Sequence, residues 1–205
     1  MEINDTYKTI GSNAEGMFKD KGSKFLAYAF PVETEDEIKA HLNELKKEHY
    51  SARHHCYAYR LGKDGEHYRA NDDGEPSGTA GRPIHGQLMS HELTNLLVVV
   101  VRYFGGTLLG VSGLINAYKN ATIDVLSNAK IIAKIVTNSY QLRFEYPLQN
   151  TVMRILNEYQ VETLEAEYTT NCQLKIGIRL KQEEEVSSKL EKIEGLIVKK
   201  LEDNN

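Results

Sequence analysis

The run LLVVVV at 96–101 constrains the fold of this chain more than any other stretch. Six apolar residues without polar alternation read as a strand buried on both faces. The run then ends in Arg102, Tyr103, Phe104 and the pair Gly105 and Gly106. Alternation along an extended strand makes Arg102 leave the core at the strand's end. Two readings stay open for it. Either a surface loop presents Arg102 to an anionic or protein partner, or Arg102 ties down a carboxylate of the chain's own acidic loop, since arginine suits both tasks.

The same run is far too short to span a bilayer, and the start MEINDTYKTIGSNAEG has no apolar core region, so neither membrane association nor a signal peptide is expected. A chain of 205 residues with 40% hydrophobic and 26% charged residues has an ordinary globular composition. Its net charge of −4 excludes a global polycation, so any nucleic-acid surface has to be a local patch. Cys56 and Cys172 lack metal-ligand spacing and read as reduced, buried cysteines of a cytoplasmic protein.

The pattern changes near residue 138 and predicts two domains, 1–137 and 138–205. In the second, YQLRFEY alternates, with Tyr140, Leu142, Phe144 and Tyr146 on the core face and Arg143 outside. Pro147 suits a first helical turn, and Leu148, Val152, Ile155, Leu156 and Tyr159 follow at helical spacing. TLEAEY and QLKIGIRL are two more strands. A helix with Val186, Leu190 and Ile193, opened by three glutamates and closed at Gly195, precedes LIVKKL. The order βαββαβ predicts a ferredoxin-like domain. Its stacking aromatics lie on the core stripe, which argues against base stacking on that sheet, while Arg143, Lys175 and Arg179 remain outside.

In the first domain KFLAYAFPV reads as a strand. Thr34 and Glu37 form a capping box for a helix with Ile38, Leu42 and Leu45. HHCYAYRLG and EHYRAN form a hairpin around Asp64-Gly65. The loop DDGEPSGTAGRP leads to a short helix starting at Pro83, and a long helix with Leu114, Tyr118, Ala121 and Val125 follows the valine strand. IIAKIV either finishes the sheet or starts the connection. The whole is an α/β (α+β) chain.

Chemistry concentrates in the two glycine-rich loops. Small residues let backbone approach a ligand, helix N-termini favour anions, and Arg82 can add a bidentate phosphate contact. Asp72, Asp73 and Glu75 raise a magnesium site but lack EF-hand spacing, and no metal is expected. All seven histidines lie between His41 and His91 without zinc spacing. His54, Cys56 and Ala58 share one strand face, and Cys56 reads as a packed thiol rather than a nucleophile. Lys19, Lys21, Lys24, Lys46, Lys47, Arg53 and His54 form a candidate basic patch, though such charge runs are usually solvated faces.

DDGEPSGTAGRPI and VVVVRYFGGTLLGVSGL, with KGSKF and HHCYAYRLG upstream, resemble the IMPACT family and most closely its bacterial YigZ-type members. The resemblance implies a ribosomal-protein-like β-α first domain, a ferredoxin-like second domain similar to the fifth domain of elongation factor G, and a cytoplasmic role in translation regulation with nucleic-acid binding. The chain opens almost directly on the family core, so kinase-pathway regulation is not expected of it. The candidate binding surface comprises Lys21, Lys24, His54, Asp73, Glu75, Ser77, Gly78, Thr79, Arg82, Arg102, Tyr103, Gly105 and Gly106, with no catalytic residue assigned. The leading expectation is a non-enzymatic regulator contacting RNA, the ribosome or a protein partner. The rival is an enzyme on a small phosphorylated ligand, with Ser77, Gly78, Thr79 and Arg82 on the anion, Asp73 or Glu75 holding magnesium or acting as base, and His54 moving a proton. A third reading is a protein-interaction module with Tyr103 and Phe104 as a docking edge. No cofactor is expected.

Overall fold

Strand β6 (Leu96–Tyr103), which holds the valine run, is the middle strand of a five-stranded sheet ordered β2 (Ala14–Asp20), β3 (Ser23–Pro31), β6, β4 (His54–Leu61), β5 (His67–Asn71). Every neighbouring pair is antiparallel. The description rests on a computed structural model and covers residues 5–201. Both faces of the sheet are covered, which explains the unbroken apolar run. Val98 and Val100, with Phe25, Ala27, Ala29, Cys56 and Ala58, pack against α2 (Gly81–Ser90) and α3 (Gly110–Asn128). Leu97, Val99 and Val101, with Tyr59 and Leu61, face α1 (Glu35–Glu48), which contributes Ile38 and Leu45. Each of the four valines is fully buried, worth about 1.5–3 kcal/mol apiece.

The alanines on the α3 face let that helix sit close. At Gly16 in β2 an added Cβ would lie 2.6 Å from the Val125 nitrogen, so no side chain fits between strand and helix. The capping box at α1 forms as expected: Thr34 accepts the Glu37 N–H, and the Glu37 carboxylate accepts the Thr34 N–H. Helix α2 begins at Gly81, two residues before the expected Pro83. IIAKIV does not finish the five-stranded sheet but does start the connection to the tail: β7 (Ile131–Ile135) pairs with β1 (Thr6–Ile10) in a separate two-stranded sheet, and the chain enters the second unit at residue 135.

The first compact unit is Tyr7–Lys134, and the second comprises residues 5, 6 and 135–201. The second has the ferredoxin-like order β8 (Thr137–Phe144), α4 (Gln149–Glu158), β9 (Glu162–Tyr168), β10 (Cys172–Arg179), α5 (Glu183–Glu191), β11 (Ile197–Lys200). Its antiparallel sheet runs β11-β8-β10-β9. Tyr140, Leu142 and Phe144 enter the core against α4 and α5. Tyr146 does not. The strand stops at Phe144, a 3₁₀ turn carrying Pro147 follows, and Tyr146 is 47% exposed with its hydroxyl donating to the Thr169 carbonyl. Asp5 pairs with Arg179, which lowers the Asp5 carboxyl below its ordinary range.

Candidate functional site

The acidic loop is organised by Asp72. Its Oδ2 accepts the Gly78 N–H at 2.8 Å, and its Oδ1 accepts the N–H groups of Ala80 at 3.0 Å and Gly81 at 2.8 Å. Burial pushes this carboxyl up, but the N–H groups of Gly78, Gly81 and Ala80 outweigh that and leave it below its ordinary value. The N-terminus of α2, which the rival reading offered to an external anion, therefore already holds an internal carboxylate. Asp73 is committed as well. Its Oδ2 accepts the His55 N–H at 2.7 Å, and its carbonyl accepts a bond from His54 Nδ1 at 2.9 Å. A carbonyl only accepts, so Nδ1 of His54 carries the proton. Buried Thr79 donates to the Pro76 carbonyl at 2.6 Å, whereas Ser77 and Arg82 are exposed.

Arg102 resolves its two readings toward the intramolecular one. In the sheet register it lies opposite Phe25 and His54, so its side chain turns inward beside the Cys56 face. It is 7% exposed, and its Nη1 donates to Glu75 Oε1 at 2.7 Å. The guanidinium carbon stands 5.6 Å from the Phe25 ring centre and 5.7 Å from that of Phe104. The hydroxyl of Tyr118 donates to the same Glu75 oxygen at 2.8 Å. Cys56 Sγ lies 3.0 Å from the Asp72 carbonyl and 3.3 Å from the Tyr118 hydroxyl, and burial pushes its thiol well above the ordinary range. Cys56 is a packed thiol.

Tyr103 points to the other face of the sheet. Its hydroxyl meets His49 Nδ1 at 2.9 Å, while His49 Nε2 meets the Tyr28 hydroxyl at 2.8 Å. Burial pushes the Tyr28 phenol up to about 12. Tyr103 is thus held by α1's end rather than forming a docking edge with Phe104. Gly105 serves a backbone joint: a Cβ there would lie 1.9 Å from the Gly22 carbonyl carbon, and its N–H donates to the Ser23 hydroxyl at 3.1 Å. KGS and FGG are therefore two halves of one crossing.

Beside this network lies a cleft of about 910 Å³ within the first unit. His54, Glu75, Arg102 and Tyr103 of the expected residues line it. Asp73, Gly78 and Thr79 build the adjoining loop, and Lys21, Lys24, Ser77, Arg82, Gly105 and Gly106 are not among its walls. The sequence reading assigned no site role to Tyr118, Leu108 or Val111. Phe104 is 59% exposed, Leu108 82% and Val111 59%, and they form an apolar rim on a cleft that Pro76 and the cationic Arg53 also line. No periodicity could have grouped the three rim residues, because Phe104 and Leu108 lie in the loop before α3 and only Val111 is helical. The sheet is antiparallel, so the rule for ligands at parallel strand ends does not account for the cleft. Loop residues 104–109 and 75–76 form it instead. Among the described residues no group of three His, Cys, Asp or Glu side chains could hold a metal, and no helix is long and apolar enough to cross a membrane.

Residues 21–126 match the Impact N-terminal domain, a span that includes both glycine-rich loops and every residue of the cleft. An IMPACT family member of Haemophilus influenzae is 38% identical over 87% of this chain and 88% of its own. IMPACT family members YvyE of Bacillus subtilis and YigZ of Escherichia coli are each 32% identical, over 86% and 83% of this chain and 82% and 84% of theirs. A solved structure titled as that of a hypothetical protein aligns with 98% of this chain and 100% of its own, at 28% identity and a TM-score of 0.73. With its central strand, its joined glycine loops and its second-unit topology all in place, this chain belongs to the IMPACT family.

Proposed function

We propose that this protein is a cytoplasmic, translation-linked regulator that works by docking a translation-associated protein partner on the cleft face, without catalysis. The translation link comes from the family resemblance. The docking mode is supported by one observation: Arg102 is neutralised by Glu75 at the cleft, and the rim beside it is apolar, with Phe104, Leu108 and Val111 open to solvent. RNA phosphate recognition draws on cations free to displace counterions, and a buried pair offers none. Exposed apolar residues gathered at a concave face favour a protein segment. The rival anion-processing reading loses support where Asp72 fills the α2 N-terminus and Asp73 is bound to the His55 N–H.

The test is co-sedimentation of purified protein with ribosomes that retain their associated factors, and with salt-washed ribosomes, at low and high salt, beside Leu108→Asp. Binding to the factor-bearing ribosomes that survives high salt and is lost in Leu108→Asp is expected. Binding that disappears with salt and ignores Leu108→Asp would move the reading to RNA phosphate. No binding to either preparation would remove the translation link.

A further inference from the structure

We infer that the cleft reads a neutral amide flanked by an aliphatic side chain, so that the docked partner segment presents a backbone or side-chain amide to the Arg102–Glu75 pair. This rests on the protein-docking reading above and names the chemistry of the occupant. Glu75 directs one oxygen, Oε1, at both Arg102 Nη1 and the Tyr118 hydroxyl. Among the described residues neither Glu75 Oε2 nor Arg102 Nη2 has a hydrogen-bond partner, and Arg102 Nε is shut away without one. Arg102 Nε is closed to any occupant, whereas Glu75 Oε2 and Arg102 Nη2 are not shut away and are the acceptor and donor that an occupant's groups can meet.

The pair carries no net charge. An incoming anion is attracted by Arg102 and repelled by Glu75, and a cation meets the reverse. An amide suits both, because its N–H can donate to the carboxylate while its C=O accepts from the guanidinium. Leu108, Leu109, Val111 and Leu114 line the same cleft and supply branched aliphatic surface for a neighbouring side chain. A nucleobase edge also sets a donor beside an acceptor. It is the weaker fit, since the exposed Phe104 ring on this wall already lies under the Arg102 guanidinium and Tyr103 is bonded to His49 on the opposite face. Base recognition generally draws on aromatic stacking platforms.

The experiment is a titration of the ¹⁵N-labelled protein, read by backbone amide shifts, with N-acetyl-leucinamide, N-acetyl-leucine, inorganic phosphate and cytidine. N-acetyl-leucinamide is expected to move signals of residues 75, 102 and 108–111 with a dissociation constant of roughly millimolar order, as fits so small a ligand. The carboxylate N-acetyl-leucine should bind at least about tenfold more weakly, and phosphate should leave these signals still. Leu108→Asp, an exposed change that leaves the interior intact, should abolish the amide response while the remaining spectrum is preserved. Equal or tighter binding of the carboxylate or of phosphate would overturn the proposal, as would preferential binding of cytidine or no amide response at the cleft. If Leu108→Asp releases the ribosome-associated partner while the amide fails to titrate the cleft, docking stands and the amide assignment falls. If the amide titrates the cleft and no such partner binds, the reverse holds.

Discussion

Removing Glu75 should open the first unit around an unpaired guanidinium. The side chains of Glu75 and Arg102 are 3% and 7% exposed, so Glu75→Ala leaves a cation with little access to water. Breaking a buried pair from one side costs about 3–5 kcal/mol, whereas replacing both partners with apolar groups is often neutral. Tyr118 also loses its acceptor, which adds to the same penalty. Cys56 reports the opening, because its fully buried sulfur lies 3.3 Å from the Tyr118 hydroxyl. Its alkylation rate, followed by mass spectrometry to separate the Cys56 peptide from that of Cys172, should rise by about 150- to 4,500-fold in Glu75→Ala under conditions where closing outpaces labelling. Glu75→Leu combined with Arg102→Met should return most of the protection. A rise below about fivefold in Glu75→Ala, roughly 1 kcal/mol, would refute the claim that the pair is desolvated and mutually dependent. So would a double variant as labile as the single one.

Gly105→Ala should fail to yield soluble native protein, or should lose several kcal/mol in urea unfolding, since the added Cβ would overlap the Gly22 carbonyl carbon. Asp72→Ala should cost about 2–3 kcal/mol at pH 7 for three lost charge-assisted bonds, measured by denaturant unfolding. Because the folded Asp72 carboxyl is lowered, its contribution is complete above its unfolded value of about 4 and fades as pH falls through the folded one, so the stability gap between wild type and Asp72→Ala should narrow in acid. Thr34→Ala should cost about 1 kcal/mol through the lost α1 cap, read by the same method.

The features legible in the sequence are those decided within a few residues. The capping box at Thr34 and Glu37, the hairpin around Asp64 and Gly65, and the helical stripes of α3 and α4 each depend on local spacing, and all form. The valine run likewise needs only its own composition to require cover on both faces. What the sequence left open is decided by tertiary partners. Arg102 chooses the interior because Glu75, 27 residues away, waits beside it with Tyr118 behind. Asp72 closes the anion-like loop because three N–H groups up to nine residues on converge there. Tyr146 misses the core because the strand ends two residues before it, a boundary that alternation alone cannot mark. The need for glycine at 105 becomes visible only where the chain crosses Gly22, 83 residues away by number.

Asp72's grip on its own loop bears on how fast and how favourably anything can bind. A wall held by three internal hydrogen bonds has surrendered its conformational freedom during folding, so an arriving segment orders only itself. Association should therefore resemble a key meeting a cut lock. Rates should be limited by encounter and orientation rather than by loop rearrangement, and free and occupied forms should share one backbone path through residues 72–81.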